Sequence, residues 1–143
     1  MLGVFETLNA WYSPKWFKGR VSIDGLEHLQ KAQAEGRGAL LLGTHSTLLD
    51  AGGYACAQFF DLDVVYRPQN NPLLDMLIYR CRATIYSHQI DHDDMRGLIR
   101  HLKNGRSIWY SPDQDFGLKQ GVMAPFFGTP AATVTAHRRL LKM

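Results

Sequence analysis

Gly38-Ala39-Leu40-Leu41-Leu42-Gly43-Thr44-His45-Ser46-Thr47-Leu48-Leu49-Asp50 decides how the rest of the chain reads. Its opening is an unbroken apolar run between glycines, the pattern of a strand covered on both faces. The Gly43-Thr44 step ends the run. From Leu48 to Phe60 the sequence reads as helical, with Asp50 in the first turn, where a carboxylate meets the positive end of the helix dipole. Strand, turn and helix in this order are the start of a βαβ unit.

The same alternation continues downstream. Asp63-Val64-Val65-Tyr66 reads as a second strand closed by Pro68. Asn71-Pro72 opens a helix through a side-chain cap and a first-turn proline, running to about Arg82. Thr84-Ile85-Tyr86 reads as a third strand. Asp91 is placed to cap the next helix, whose apolar stripe is Met95, Leu98, Ile99 and Leu102 and whose end is Asn104-Gly105. Ser107-Ile108-Trp109-Tyr110 reads as a fourth strand, closed by Pro112. Upstream, Val21-Ser22-Ile23 reads as a short strand, and Gly25 to Gln33 as a helix ending near Gly36. Strands that alternate with helices predict an α/β fold with a mainly parallel sheet and flanking helices.

The two ends differ from this body. Residues 1–20 read as an amphipathic aromatic and basic segment. Val4, Phe5 and Leu8 lie at helical spacing, and Trp11, Tyr12, Trp16 and Phe17 interleave with Lys15, Lys18 and Arg20. Such a mixture suits a membrane–water boundary, and it suits equally a small core cluster under a loop. Trp11, Lys15, Trp16 and Lys18 are the expected membrane contacts. Residues 21–136 are the expected α/β domain. Gly128 to Ala136 reads as a turn feeding a helix of small residues, and 137–143 as a basic tail. No further strand follows, so a sheet incomplete at its C-terminus, and hence a truncated chain, is the expectation.

The 143 residues are 45% hydrophobic and 20% charged, which excludes disorder for the whole and fits one domain. The net charge of +3 comes from the last stretch, where residues 101–143 carry six Lys/Arg against two Asp/Glu. A basic balance confined to one end does not read as a nucleic-acid footprint. Cys56 and Cys81 form neither a disulfide framework nor a CxxC pair, consistent with a reducing compartment. No apolar run approaches the roughly 20 residues of a membrane-spanning helix.

Polar residues follow each strand in turn: Thr44-His45, Arg67, Ser87-His88, and Asp113 to Asp115. In open parallel sheets ligands bind beyond the carboxyl ends of the strands, so topology and chemistry indicate the same place. His45-x4-Asp50 is the sharpest pattern, although six histidines and ten aspartates would give about 0.4 such pairs by chance, and His88–Asp93 is a second. Context separates them, because His45 directly follows the inner strand. Within one helix a five-residue gap would turn the two side chains about 140° apart. They meet only if His45 precedes the helix and Asp50 lies in its first turn. His45 is then a general base with Asp50 holding its tautomer; the alternative is a hydrogen-bonded histidine at a strand end. Arg67, near the Asn71-Pro72 helix start, suits a phosphate, or else a surface ion pair. Ser111 to Gly117 is a polar loop able to steady Arg67 or a substrate hydroxyl, or a simple Asx-type turn. His88, Asp91, His92, Asp93 and Asp94 match no common zinc spacing.

Taken together, several separated motifs resemble one family. They are His45-x4-Asp50, Val65-Tyr66-Arg67-Pro68 with Asn71-Pro72-Leu73-Leu74-Asp75, Ile90-Asp91, Trp109-Tyr110-Ser111-Pro112-Asp113-Gln114-Asp115-Phe116-Gly117, and Val122-Met123-Ala124-Pro125-Phe126-Phe127-Gly128. The family is the late acyltransferases of lipid A biosynthesis, within the lysophospholipid acyltransferase superfamily, and the likeness covers roughly residues 3–136. The resemblance implies a glycerolphosphate-acyltransferase-like α/β fold at the cytoplasmic face of a bacterial inner membrane. It implies acyl-acyl carrier protein as donor, a phosphorylated Kdo-bearing lipid A precursor as acceptor, contact with an anionic membrane surface, and neither metal nor organic cofactor. It carries the family's catalytic pair to His45 and Asp50, and substrate binding to Arg67, Asp113 and Asp115. Many relatives have Glu where this chain has Asp50. Family members are about twice this length and begin with a hydrophobic anchor. Two other readings stand beside transfer: a relative that binds membrane without chemistry, and a metal-dependent hydrolase built on His45, His88, Asp113 and Asp115.

Overall fold

The computed structural model describes residues 2–13, 17, 19–114 and 121–141. Its helices are α1 (Leu2–Tyr12), α2 (Leu26–Ala34), α3 (Leu49–Ala57), α4 (Pro72–Ala83), α5 (Met95–Lys103) and α6 (Ala136–Leu140). Its strands are β1 (Ala39–Leu42), β2 (Leu62–Tyr66), β3 (His88–Asp91), β4 (Ser107–Tyr110), β5 (Gly121–Phe126) and β6 (Thr129–Val134). The first four strands form one sheet in the order β1-β4-β2-β3, and every pairing in it is parallel. The α/β class and the parallel sheet read from the alternation are therefore present.

β4 occupies an inner position between β1 and β2, with Ile108 and Ser107 fully buried. Successive side chains point to opposite faces of the sheet. Leu40, Val65, Ile90 and Ile108 thus meet α5 on one face, where Leu98, Met95, Ile99 and Leu102 supply the stripe expected of that helix. Ile90, Leu98 and Ile108 are the buried ones among them, each worth about 1.5–3 kcal/mol. Leu41, Val64 and Trp109 face the other way, with Leu62, Tyr86, Cys56 and Phe60. Leu140 of α6, from the stretch read as a tail, is buried in the α5 cluster. At the other end Ala10 and Phe17 pack on Ala51 of α3, with Trp11 half-buried beside them. Phe5, Leu8 and Tyr12 are exposed. Lys15, Trp16, Lys18 and Asp115 lie outside the described residues.

Two helix starts follow the sequence chemistry. Asn71 Oδ1 accepts from the N–H groups of Leu73 (3.0 Å) and Leu74 (3.2 Å), with Pro72 at the first position of α4. Asp94, and not Asp91, caps α5 by accepting from Gly97 N–H at 2.8 Å. Asp91 instead accepts from Asp93 N–H at 2.9 Å, one turn earlier.

Several expectations need correction. Val21 to Ile23 is not a strand. The third strand is His88–Asp91 and not Thr84-Ile85-Tyr86. α4 runs on to Ala83, and the N–H groups of Ile85 and Tyr86 return to Arg82 O, so Tyr86 reaches the core through a turn and not through a ladder. β1 is the sheet's edge, half-buried, with Leu42 exposed. The stretch read as a small-residue helix is β6, paired antiparallel with β5 from Phe126↔Thr129 to Gly121↔Val134. Phe127 and Gly128 both have positive φ, 49° and 82°, which closes a two-residue hairpin turn. Among the described residues no helix is long and apolar enough to cross a membrane.

Candidate active site

Strand register, more than local spacing, assembles the site. β1 and β4 are hydrogen-bonded neighbours with Leu42 opposite Tyr110, and the ladder is extended by Gly43 N–H donating to Tyr110 O at 2.9 Å. Three residues beyond each strand stand His45 and Asp113. Asp113 Oδ1 lies 2.5 Å from His45 Nδ1, and its Oδ2 accepts from the His45 backbone N–H at 2.6 Å. An ionised carboxylate only accepts, so Nδ1 carries the hydrogen and the lone pair is left on Nε2. Burial alone would raise the Asp113 carboxyl, but the His45 side-chain and backbone hydrogen bonds outweigh it and hold the group below the usual carboxylate range.

The expected contact between His45 and Asp50 is replaced by this one. Asp50 does sit in the first turn of α3, but its Oδ1 accepts from Arg82 Nε (2.9 Å) and Nη2 (2.7 Å). The pair is mostly buried, and the Arg82 guanidinium also lies 5.8 Å from the centre of the Tyr66 ring. Among the described residues no hydrogen bond joins Asp50 to His45.

His45, Asp50, Arg67, Arg82, Trp109 and Ser111 line one cleft of about 920 Å³ at the carboxyl ends of the strands. Arg67 is exposed and has no ion-pair partner among the described residues. Its loop is tied to α4: Asp75 Oδ1 accepts from the Tyr66 hydroxyl and from Gln69 N–H at 2.6 Å. Burial, and then the Asp75 hydrogen bond, push the Tyr66 hydroxyl up to about 12. Burial likewise pushes up the Tyr86 hydroxyl, which lies under α3. Trp109 Nε1 donates to Ser111 Oγ at 3.1 Å and so shapes the wall beside His45.

His88 is not part of this site. It opens β3, opposite Asp63, at the amino end of the sheet, whereas His45 follows the carboxyl end of β1. The shared His45–His88 metal centre therefore fails on topology. Arg82 and Tyr86 were not singled out from sequence. Arg82 reads there as a dipole-compatible residue in a last helical turn, and no local pattern ties it to Asp50, which is 32 residues away.

The chain matches the family described as bacterial lipid A biosynthesis acyltransferase over residues 2–143. It is 36% identical over 144 residues to the lipid A biosynthesis lauroyltransferase of Escherichia coli (strain K12), covering 99% of this chain and 47% of that protein. It is 33% identical over 139 residues to the palmitoleoyltransferase of the same organism, covering 94% and 44%. It is 35% identical over 146 residues to a lipid A biosynthesis acyltransferase of Haemophilus influenzae, covering 99% and 45%. The chain thus spans somewhat under half the length of these curated relatives. A match along nearly its whole length, on an α/β fold that places His45, Asp50, Arg67 and Asp113 beyond the carboxyl ends of the strands, makes this chain a member of the bacterial lipid A biosynthesis acyltransferase family.

Proposed function

We propose that the chain carries the acyl-transfer site of an enzyme that moves a fatty acyl group from acyl-acyl carrier protein to a hydroxyl of a phosphorylated, Kdo-bearing lipid A precursor. The observation that carries this reading is the His45–Asp113 pair opening onto the cleft that also holds Arg67, which has no ion-pair partner among the described residues. His45 Nε2 takes the proton of the acceptor hydroxyl. The oxygen attacks the thioester carbonyl, the C–S bond breaks, and the proton passes on to the leaving thiolate. Asp113 fixes the imidazole and stabilises its charged form. Asp50, anchored by Arg82, lines the same cleft and is the second carboxylate of the proposed catalytic group. Arg67 binds an acceptor phosphate.

His45 N–H is committed to Asp113 and Leu48 N–H to Ser46 Oγ. No described residue accepts from the N–H groups of Ser46 or Thr47, which makes them the oxyanion donors of this reading. Work at the cytoplasmic face of the inner membrane belongs to the same proposal. Phe5, Leu8, Trp11 and Tyr12 on α1, with Lys15, Trp16 and Lys18 following in sequence, are its membrane contacts, and Asp115 joins the substrate loop. The testing experiment is transfer of radiolabelled acyl groups by the parent and by His45→Ala, which is expected to lower turnover by about 10²–10⁴-fold. Unchanged turnover removes the base role. Liposome binding by a parent that transfers nothing favours the binding-only reading.

A further inference from the structure

At the pole of the sheet opposite the cleft, a second polar cluster has no part in the proposed chemistry. Asp63 of β2 is fully buried. Its Oδ1 lies 3.0 Å from His88 Nδ1 and accepts from Arg106 Nη2 at 2.6 Å. Its Oδ2 lies 2.7 Å from His101 Nδ1 and accepts from Arg106 Nε at 3.1 Å. The imidazole rings are edge-to-face with centroids 4.9 Å apart. β2, β3 and the last turn of α5 contribute Asp63, His88 and His101 respectively, so long-range folding and not a local turn brings them together.

Arg106 alone already supplies a hydrogen bond to each carboxylate oxygen and a compensating charge. Two imidazoles aimed at the same buried carboxylate exceed what a structural ion pair requires. Their ring nitrogens and a carboxylate oxygen all lie within 4.8 Å of one another. Zinc–nitrogen and zinc–oxygen bonds run to about 2.0–2.2 Å, which sets tetrahedral ligand atoms about 3.3–3.6 Å apart, so the two hydrogen-bonded His–Asp pairs need only open by under about 1 Å for three ligands to hold one ion, with a fourth position left for water. His88 keeps 56% of its side chain exposed and His101 25%, which provides an entry path from solvent. Imidazole with carboxylate selects borderline ions of the zinc class over magnesium or calcium.

We propose that Asp63, His88 and His101 form a binding site for a zinc-class divalent cation, separate from the reaction centre. The imidazoles bind through Nδ1, each moving its hydrogen to Nε2. Arg106 remains on the carboxylate, orienting it and weakening the ion's hold through like charge. Asp91, His92 and Asp93, at the other end of β3 on the side of the cleft, form a more exposed group within one turn and serve as the control.

The test is calorimetric titration of the chelator-treated full chain with zinc, and absorption spectroscopy with cobalt(II). One equivalent is expected, with affinity reduced by at least about tenfold in both His88→Ala and His101→Ala. His92→Ala should leave it unchanged, and Arg106→Gln should tighten it. Cobalt should give visible bands that both ligand variants abolish. Absence of stoichiometric zinc overturns the proposal, as does equal binding by His88→Ala, His101→Ala and the parent, or a preference for magnesium.

Discussion

Asp113 touches His45 twice, once at the ring and once at the backbone, and so fixes both the direction of the imidazole and its tautomer. Asp113→Asn is expected to lower turnover by about 10²–10⁴-fold, because an amide can present a donor to Nδ1 and favour the wrong tautomer. With its side chain about one-third exposed, the same change should cost little stability. Asp50→Asn should lower turnover and also destabilise the fold by about 1–3 kcal/mol, since it leaves Arg82 without its charged partner in a mostly buried place. Chemical denaturation of both variants beside acyl-transfer assays separates the two carboxylates. Because Asp113 is held below its ordinary value of 3.8, its contribution to stability is complete above that value and lost as pH falls through its lower native one. Acid titration should therefore narrow the small stability gap between parent and Asp113→Asn only below about pH 4. His45 was legible because an apolar strand ends just before it. Its partner was not, because that partner stands 68 residues away and is selected by which strand lies beside β1.

Helix α3 shows how small residues serve this site at the level of an element. A Cβ on Gly53 would stand 2.1 Å from the Tyr86 hydroxyl, and Tyr86 is buried between α3 and the sheet. Gly53→Ala is therefore expected to cost about 1–3 kcal/mol through overpacking, read as a lower denaturation midpoint. At α4, Asn71→Ala removes the acceptor for two N–H groups and should cost about 1 kcal/mol. Asn71→Ser should restore most of it. The cap of α4 and the stripe of α5 could be read from sequence because a single short stretch encodes each. Thr84-Ile85-Tyr86 misled because β-branched and aromatic residues signal burial, which here only Tyr86 reaches and through a turn rather than a strand. The Ala131-Ala132 region misled because its partner, β5, decides that it is extended.

Over the whole molecule, two poles of one sheet carry two polar groupings, and the sheet's order connects them. Asp63→Ala should destabilise the chain by about 3–5 kcal/mol, because Arg106 loses its buried bidentate partner and keeps only the 3.6 Å contact with the exposed Asp61, a loss that thermal denaturation would show. Sequence alternation conveyed the class and the parallel sense, but not the order β1-β4-β2-β3, since nothing in the composition of β4 states which neighbours it will have.

That order has a consequence in time. The last strand of the sheet to leave the ribosome fills a gap between two made earlier, so β1 waits without a neighbour until residue 110 has emerged. Nascent chains shorter than this would hold the histidine but not the wall that aims it, and the His45–Asp113 pair would form in one step once β4 had docked. Parallel closures over such sequence distances are intrinsically slow. Chains arrested before β4 should bind the holding chaperones of the cell, and those arrested beyond Asp113 should escape them.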